Sequence, residues 1–268
     1  MTLDAKLKVG WKLKRPNSAN SMALKQSLRD AARKIAPRPL LGGYRRLKIV
    51  RQARRLSALS YGDREAWADA LWRSHFFRPL QKRTEIFRLV EILKTLRPAA
   101  VCEIGAAGGG TTLLLAESAA PDAVIVTLDL AFTRSRQAAL KEFARAGQRL
   151  VCLKEDSHGP EAIAAVRDCL AGRELDVLYL DGDHSYEGVK SDFELFTPLV
   201  RAGGLVVFHD IVPDYRTRYG IETSSDVGGV PQFWTEIKAA HETVEEIVED
   251  PEQDGFGIGV LRWNGVSA

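Results

Sequence analysis

The chain has 268 residues, of which 45% are apolar and 27% charged, an ordinary globular composition long enough for one large core or two small ones, which excludes disorder throughout. The net charge of +3 hides a division: residues 1–60 carry 16 Lys and Arg against Asp4 and Asp30, net +14, and the remainder carries 22 against 33, net −11. No apolar run approaches the roughly 18–20 residues that span a bilayer, and Cys102, Cys152 and Cys169 lack the spacing of a zinc site or a disulfide framework, so a cytoplasmic protein is expected, with an organellar transit peptide left open by the basic start.

In chain order, Pro16, Pro37, Pro39 and the pair Gly42-Gly43 are expected to break the basic region into short helices at "ALKQSLRDAARKIA" and "YRRLKIVRQARRLSAL". Neither can form a core alone. They read as a partly ordered arm packed on the body or on a second subunit, or as a basic surface for anionic lipid, nucleic acid or a phosphorylated substrate. "REAWADALWRSHF" and "QKRTEIFRLVEILKTL" then suit amphipathic helices, the second ended by Pro98. Beyond it, short apolar runs ("AAVCEIG", "AVIVTLDL", "RLVCLKED", "LDVLYLDGD", "GGLVVFHDI") alternate with helical stretches. That alternation predicts an α/β fold, a Rossmann-like doubly wound sheet, mostly parallel. The tail, "FWTEIKAAH", "TVEEIVED" and "GFGIGVLRW", adds a helix and two strands that close the sheet as an antiparallel edge hairpin.

In such a sheet ligands collect at the carboxyl ends of the strands. The first strand ends in "CEIGAAGGGTT", where Gly105, Gly108, Gly109 and Gly110 permit a sharp turn before a helix that starts at Thr111 or Thr112. Ala107 stands where a dinucleotide site needs its second glycine, which argues for a ligand without a pyrophosphate. Asp129 closes the second strand, placed to accept both hydroxyls of a ribose, and Asp156 with Ser157 closes the third, near an adenine ring. Any one of these acids could be only a helix cap or a loop charge; three at strand ends point to a nucleoside site.

"VCEIGAAGGGTT", Asp129, "EDS", "LYLDGDHSYEGVKSDFELFTPLVRAGGLVVFHDI", "GVPQFWTEIK" and "GIGVL" together resemble class I S-adenosylmethionine-dependent methyltransferases. The likeness is greatest to the subgroup with cephalosporin hydroxylase-like proteins and macrolide sugar O-methyltransferases, and runs from about Gln81 to Trp263. Behind the basic arm over 1–60 that the charge division marks, and a helical lead-in or lid expected over 61–80, the resemblance implies a methyltransferase domain over 81–268. It implies S-adenosylmethionine as cofactor, held by Glu103, Gly105, Ala106, Gly108 and Thr111 after the first strand, Asp129 on the ribose, Asp156 and Ser157 at the adenine, and Asp181 near the reacting centre.

A sugar or phenol hydroxyl must lose its proton as a methyl arrives, and a divalent cation with an adjacent base makes that loss feasible. Asp181 and Asp210 end the fourth and fifth strands, which as neighbours would bring the two carboxylates together. By resemblance to metal-dependent O-methyltransferases, catechol and caffeoyl-CoA enzymes included, Asp181, His209 and Asp210 would hold magnesium; the imidazole of His209 suits manganese, iron or zinc better. His184, three residues after Asp181, stands in the place of the relatives' catalytic base, with an unperturbed pKa near 6.5. Asp183 is expected to cap the helix starting near Tyr186, His158 to be a loop histidine, and Phe233 and Trp234 to be core. "DYRTRYGIETSSDVGG" reads as a mobile active-site loop. The expected acceptor is a hydroxyl of a small molecule or glycan, with homo-oligomer formation and peripheral membrane contact through the arm open and no specific nucleic acid. The alternative is a nucleic-acid or anionic-membrane binding protein on a methyltransferase-like scaffold.

Overall fold

The computed structural model describes residues 38–59 and 62–265, with side chains from residue 43 onward. The first expected helix, and the surface it was expected to offer, therefore lie outside the described residues. The chain divides into two units, residues 1–45 and 46–268.

Seven strands form one sheet in the order β3-β2-β1-β4-β5-β7-β6: β1 (Ala100–Ile104), β2 (Val124–Leu128), β3 (Arg149–Leu153), β4 (Leu175–Leu180), β5 (Val200–His209), β6 (Glu242–Ile247) and β7 (Ile258–Trp263). β1 to β5 pair in parallel, and β7 enters antiparallel between β5 and β6. The fold is thus the expected doubly wound sheet with an antiparallel edge pair. β1 and β2 are buried at every residue, because both faces are covered, which is why they read as nearly continuous apolar runs, interrupted by Glu103 and Thr127, rather than alternating ones. Side chains still alternate between faces: Val101, Ile125, Val177 and Val207 enter one apolar layer, and Cys102, Val126, Leu178 and Val206 enter the other.

The helices are α1 (Arg38–Ser57), α2 (Arg64–Trp72), α3 (Arg83–Leu96), α4 (Gly110–Ser118), α5 (Arg134–Leu140), α6 (Pro160–Leu170), α7 (Tyr186–Phe196), the short α8 (Tyr215–Tyr219) and α9 (Val230–Ala240). One expectation fails here: α1 runs through Gly42-Gly43 rather than breaking there. Pro39 occupies the first turn, where its missing N–H costs nothing. Each helical glycine costs only about 1 kcal/mol, and α1 buries Ile49, Ala53 and Leu56 in the core, worth about 1.5–3 kcal/mol per large side chain. Of the helical stretches between the strands, the one between β2 and β3 is short, α5 followed by a 3-10 turn at Lys141–Phe143. Phe233 and Trp234 are core residues, 5% and 2% exposed. Among the described residues, no helix is long and apolar enough to cross a membrane.

Candidate active site at the β1 and β4 switch point

Strand order reverses between β1 and β4, so the carboxyl ends of these neighbours form the crevice where an open α/β sheet binds ligands. The two ends are fastened together. The Asp181 N–H donates to the Ile104 carbonyl at 2.9 Å, and Gly105, at φ +86°, lies so close that a Cβ there would stand 1.9 Å from the Asp181 carbonyl oxygen. Glycine is required at this position by both backbone conformation and space. The turn is then shaped by Asp129 at the end of β2, whose Oδ2 accepts from the Ala107 N–H at 2.7 Å and whose Oδ1 accepts from the Ala131 N–H at 2.6 Å. Its far side is covered by residues 76–79: a Cβ on Gly110 would meet the Phe77 carbonyl oxygen at 2.4 Å, and Arg136 Nη1 ties the carbonyls of Phe76 and Gly108 at 2.6 and 2.7 Å.

A cavity of about 460 Å³ opens at this point, lined by Gly105, Ala107 and Asp129 on one side, by Asp181, His184, His209 and Asp210 at its base, and by Leu80, Phe256 and residues 224–226 around the rim. That volume falls within the roughly 300–1,000 Å³ of small-molecule sites. Other residues expected to touch a cofactor do not line it. Glu103 is fully buried beneath the turn, its Oε2 accepting from Thr112 and Thr127 at 2.5 and 2.7 Å while Oε1 has no hydrogen bond; burial pushes its carboxyl up to about 7. Thr111 is buried and donates to Gln81. Ala106 and Gly108 shape the turn without lining the cavity, Ala106 donating to the Leu128 carbonyl at 3.3 Å. Asp156 is exposed and accepts from the His158 N–H at 3.1 Å, outside the cavity together with Ser157. His158 lies beside the buried Asp192, 3.4 Å from its Oδ1.

The base of the cavity is a cluster of two carboxylates and two imidazoles. Asp181 Oδ1 accepts from His209 Nδ1 at 3.0 Å and stands 3.5 Å from His184 Nε2; Asp210 Oδ2 lies 3.3 Å from His209 Nδ1 and 3.6 Å from His184 Nδ1. Burial alone would raise the Asp181 carboxyl, but the charge on His209 and hydrogen bonds from both imidazoles hold it below the usual range. The hydrogen bond to Asp181 lifts His184 to about 9 against its own burial, helped by the Asp226 carbonyl. Burial disfavours the charge on His209, yet Asp181 and Asp210 together carry it up to about 10. With both ring nitrogens facing acceptors, His184 holds its proton at neutral pH in the metal-free protein, unlike the free imidazole expected of a base near 6.5. Asp210 adopts φ +62°, an uncommon conformation for a residue with a side chain, of the kind that concentrates at functional sites.

Two further expectations are revised. Asp183 does not cap α7: Ser185 does, its hydroxyl accepting from the Gly188 N–H at 3.0 Å, while Asp183 braces the preceding turn through the Ser185 N–H at 2.8 Å. The segment between β5 and α9 is not a free loop. Thr223 and the Tyr215 N–H bind Asp254 at 2.7 Å, the Asp226 carbonyl accepts from His184 Nδ1, and the Gly229 N–H donates to the His184 carbonyl at 2.7 Å. The sequence reading missed Gln81, whose amide donates to Asp181 Oδ2 at 2.8 Å; it precedes α3, belongs to no motif and carries no charge.

The donor set fits a divalent cation. One ligand atom each from Asp181, His184 and Asp210 lie within 4.8 Å of one another, and two carboxylates with an imidazole suit manganese at least as well as magnesium. His209 keeps Nδ1 on the carboxylates and buries an unpartnered Nε2. The glycine turn, the strand-end acid Asp129 and the cavity volume likewise fit a nucleoside-bearing cofactor.

Residues 102–211 match a family described as a methyltransferase domain. Among curated proteins, the chain is 45% identical over 56 residues to uncharacterized protein R132 of Acanthamoeba polyphaga mimivirus, covering 21% of this chain and 24% of that protein. It is 31% identical over 96 residues to uncharacterized protein y4gI of Sinorhizobium fredii, covering 36% and 9%. The chain thus matches no more than about a quarter of the length of these relatives. Among solved structures, an O-methyltransferase from Bacillus cereus in complex with SAH aligns over 80% of this chain and 90% of its own, with a TM-score of 0.53 at 16% identity. An O-methyltransferase family protein from Burkholderia thailandensis aligns over 79% and 62%, with a TM-score of 0.51 at 13% identity. The fold is that of the Rossmann-like methyltransferases, and residues 102–211 match a methyltransferase-domain family.

Proposed function

We propose that the protein is an S-adenosylmethionine-dependent O-methyltransferase, assisted by a divalent cation, that acts on a hydroxyl of a small molecule or glycan. The observation that carries the reading is the shared cavity: the glycine turn with Asp129 on one wall and the Asp181, His184 and Asp210 cluster at its base. A nucleoside cofactor on the first would present its methyl group to an acceptor held at the second.

The cofactor supplies an electrophilic methyl group and the cation, when bound, supplies charge that lowers the pKa of a hydroxyl. The chain supplies the rest. Asp181 and Asp210 offer the oxygen donors that hard cations select. His184, anchored at Nδ1 by the Asp226 carbonyl, keeps Nε2 beside Asp181; in this reading Asp181 and Asp210 hold the cation and the His184 nitrogen stays off it, to take the hydroxyl proton once those carboxylates are engaged. His209, buried against both carboxylates, balances their charge. Leu80 and Phe256 give the acceptor side an apolar rim. A nucleic-acid or anionic-membrane binding scaffold is the less favoured reading: the exposed Arg46, Lys48, Arg51 and Arg55 of α1 are compatible with it, but the family match and the cavity both lie in the body.

The test is a pair of variants. Asp181→Ala is expected to lower kcat at least 100-fold while the cofactor Kd changes by no more than about threefold, the size expected where a base and cation act together. Asp129→Ala is expected to weaken the cofactor at least tenfold, because the cavity loses its strand-end carboxylate and the glycine turn loses the hydrogen bond from the Ala107 N–H. Normal methylation by Asp181→Ala would refute the reading.

A further inference from the structure

Gln81 lies outside the stretch that matches the methyltransferase-domain family, yet it is 5% exposed and touches both halves of the site. Its Nε2 donates to Asp181 Oδ2 at 2.8 Å and its Oε1 accepts from Thr111 Oγ1 at 3.0 Å. Thr111 stands in the first turn of α4, directly after the glycine turn. The orientation of the amide is dictated by its partners, since a carboxylate only accepts and the other end meets a hydroxyl that donates.

The consequence for Asp181 is a division of labour between its oxygens. Oδ2 is committed to a neutral donor, and Oδ1 alone faces His209 and His184. A neutral amide fixes the carboxylate's rotation without neutralising it, so the full negative charge stays available to the cluster. A lysine or arginine in the same place would hold the carboxylate equally well and compete with a cation for it. The covering residues 76–79 place Gln81: they rest on the glycine turn, and Arg136 clamps the Phe76 carbonyl.

Resting on the cation-assisted reading above, we infer that Gln81 is a positioning residue that selects Asp181 Oδ1 as the ligand atom and holds the cation end of the cavity in register with the cofactor end. Removing its amide frees the Asp181 carboxylate to rotate, which weakens the cation site while leaving in place the glycine turn, which Asp129 and Arg136 hold independently of Gln81.

The test uses the full chain with Gln81→Met, which keeps length and volume and removes both hydrogen bonds. Mn²⁺ affinity, read by electron paramagnetic resonance of free Mn²⁺ without cofactor or acceptor, is expected to fall about tenfold, the effect typical of losing an outer partner of a metal ligand. The cofactor Kd is expected to stay within about threefold, and kcat to fall while the cofactor KM does not. If Gln81→Met does not fold, Gln81→Asn, which keeps the amide but cannot span from Thr111 to Asp181, is expected to show the same split. Wild-type Mn²⁺ affinity in the folded variant would overturn the role of Gln81 alone, and so would an equal loss of cofactor and Mn²⁺ affinity, which would mark a general packing role. A wild-type chain that binds no Mn²⁺ would overturn the cation reading and this inference together.

Discussion

Replacing Gly105 by alanine measures how tightly the glycine turn is pressed against the cluster. The added Cβ would stand 1.9 Å from the Asp181 carbonyl oxygen, 2.4 Å from its carbon and 2.8 Å from the Gly182 Cα. All three are backbone atoms, so no rotamer change relieves the overlap. The φ of +86° costs an L-residue about 1–2 kcal/mol, and forced repacking adds about 1–3 kcal/mol, for a total of about 2–5 kcal/mol. Gly172 is the matched control: its φ is +84°, but a Cβ there meets nothing within 4 Å, so Gly172→Ala carries only the first cost. In thermal unfolding followed by circular dichroism, Gly105→Ala should melt roughly 2–12 °C below Gly172→Ala, at roughly 2–4 °C per kcal/mol for a chain of this size. Displacement of Asp181 from the Ile104 carbonyl should also weaken both cofactor and Mn²⁺ binding in Gly105→Ala alone. Equal melting temperatures and unchanged ligand affinities would refute the claim that the two strand ends are locked together.

Two other perturbations probe the supports of the site. Burial raises Glu103 to about 7 from its ordinary 4.5, so the folded state holds a proton that the unfolded state has released; the resulting cost is absent below about pH 4.5, grows as pH rises, and reaches about 3 kcal/mol above pH 7. Glu103→Gln should therefore flatten the fall in stability between pH 5 and pH 8 seen by urea denaturation, and a parallel pair of profiles would contradict it. Glu85, 1% exposed, accepts from Gln253 Nε2, the Gly257 N–H and the Glu249 N–H at 2.8, 3.0 and 3.2 Å. Glu85→Ala removes three hydrogen bonds under the loop that carries Phe256 into the cavity, two of them buried, and should cost about 2–5 kcal/mol at about 1–3 kcal/mol per buried group; a loss below about 1 kcal/mol would show that the loop is held otherwise.

The parallel part of the sheet was readable because β1, β2, β4 and β5 carry compact apolar runs that end at a glycine or just before a carboxylate, and parallel strands buried on both faces leave that mark in a sequence. The same logic placed Asp129, Asp181 and Asp210 at strand ends, where the structure has them. What escaped was set by contacts between distant segments. Gln81 meets Asp181 across 100 positions and has no spacing to betray it. The protonation of His184 depends first on the hydrogen bond to Asp181 and then on Asp226 and Asp210 from distant segments, so its free-imidazole value could not forecast it. Ser185 displaced Asp183 as the α7 cap because two cap-forming residues lie within one turn and only the three-dimensional path of the chain decides between them. Gly42-Gly43 stayed helical because packing of Ile49, Ala53 and Leu56 outweighs local propensity.

The most direct test of the account is calorimetric titration of S-adenosylmethionine into the metal-stripped full chain, repeated with Mg²⁺ and with Mn²⁺ and followed by titration of each metal alone. The account predicts saturable one-to-one cofactor binding in the micromolar range and a separate saturable metal signal that disappears in Asp181→Ala. Absence of cofactor binding under every metal condition would contradict the methyltransferase reading and leave only the fold.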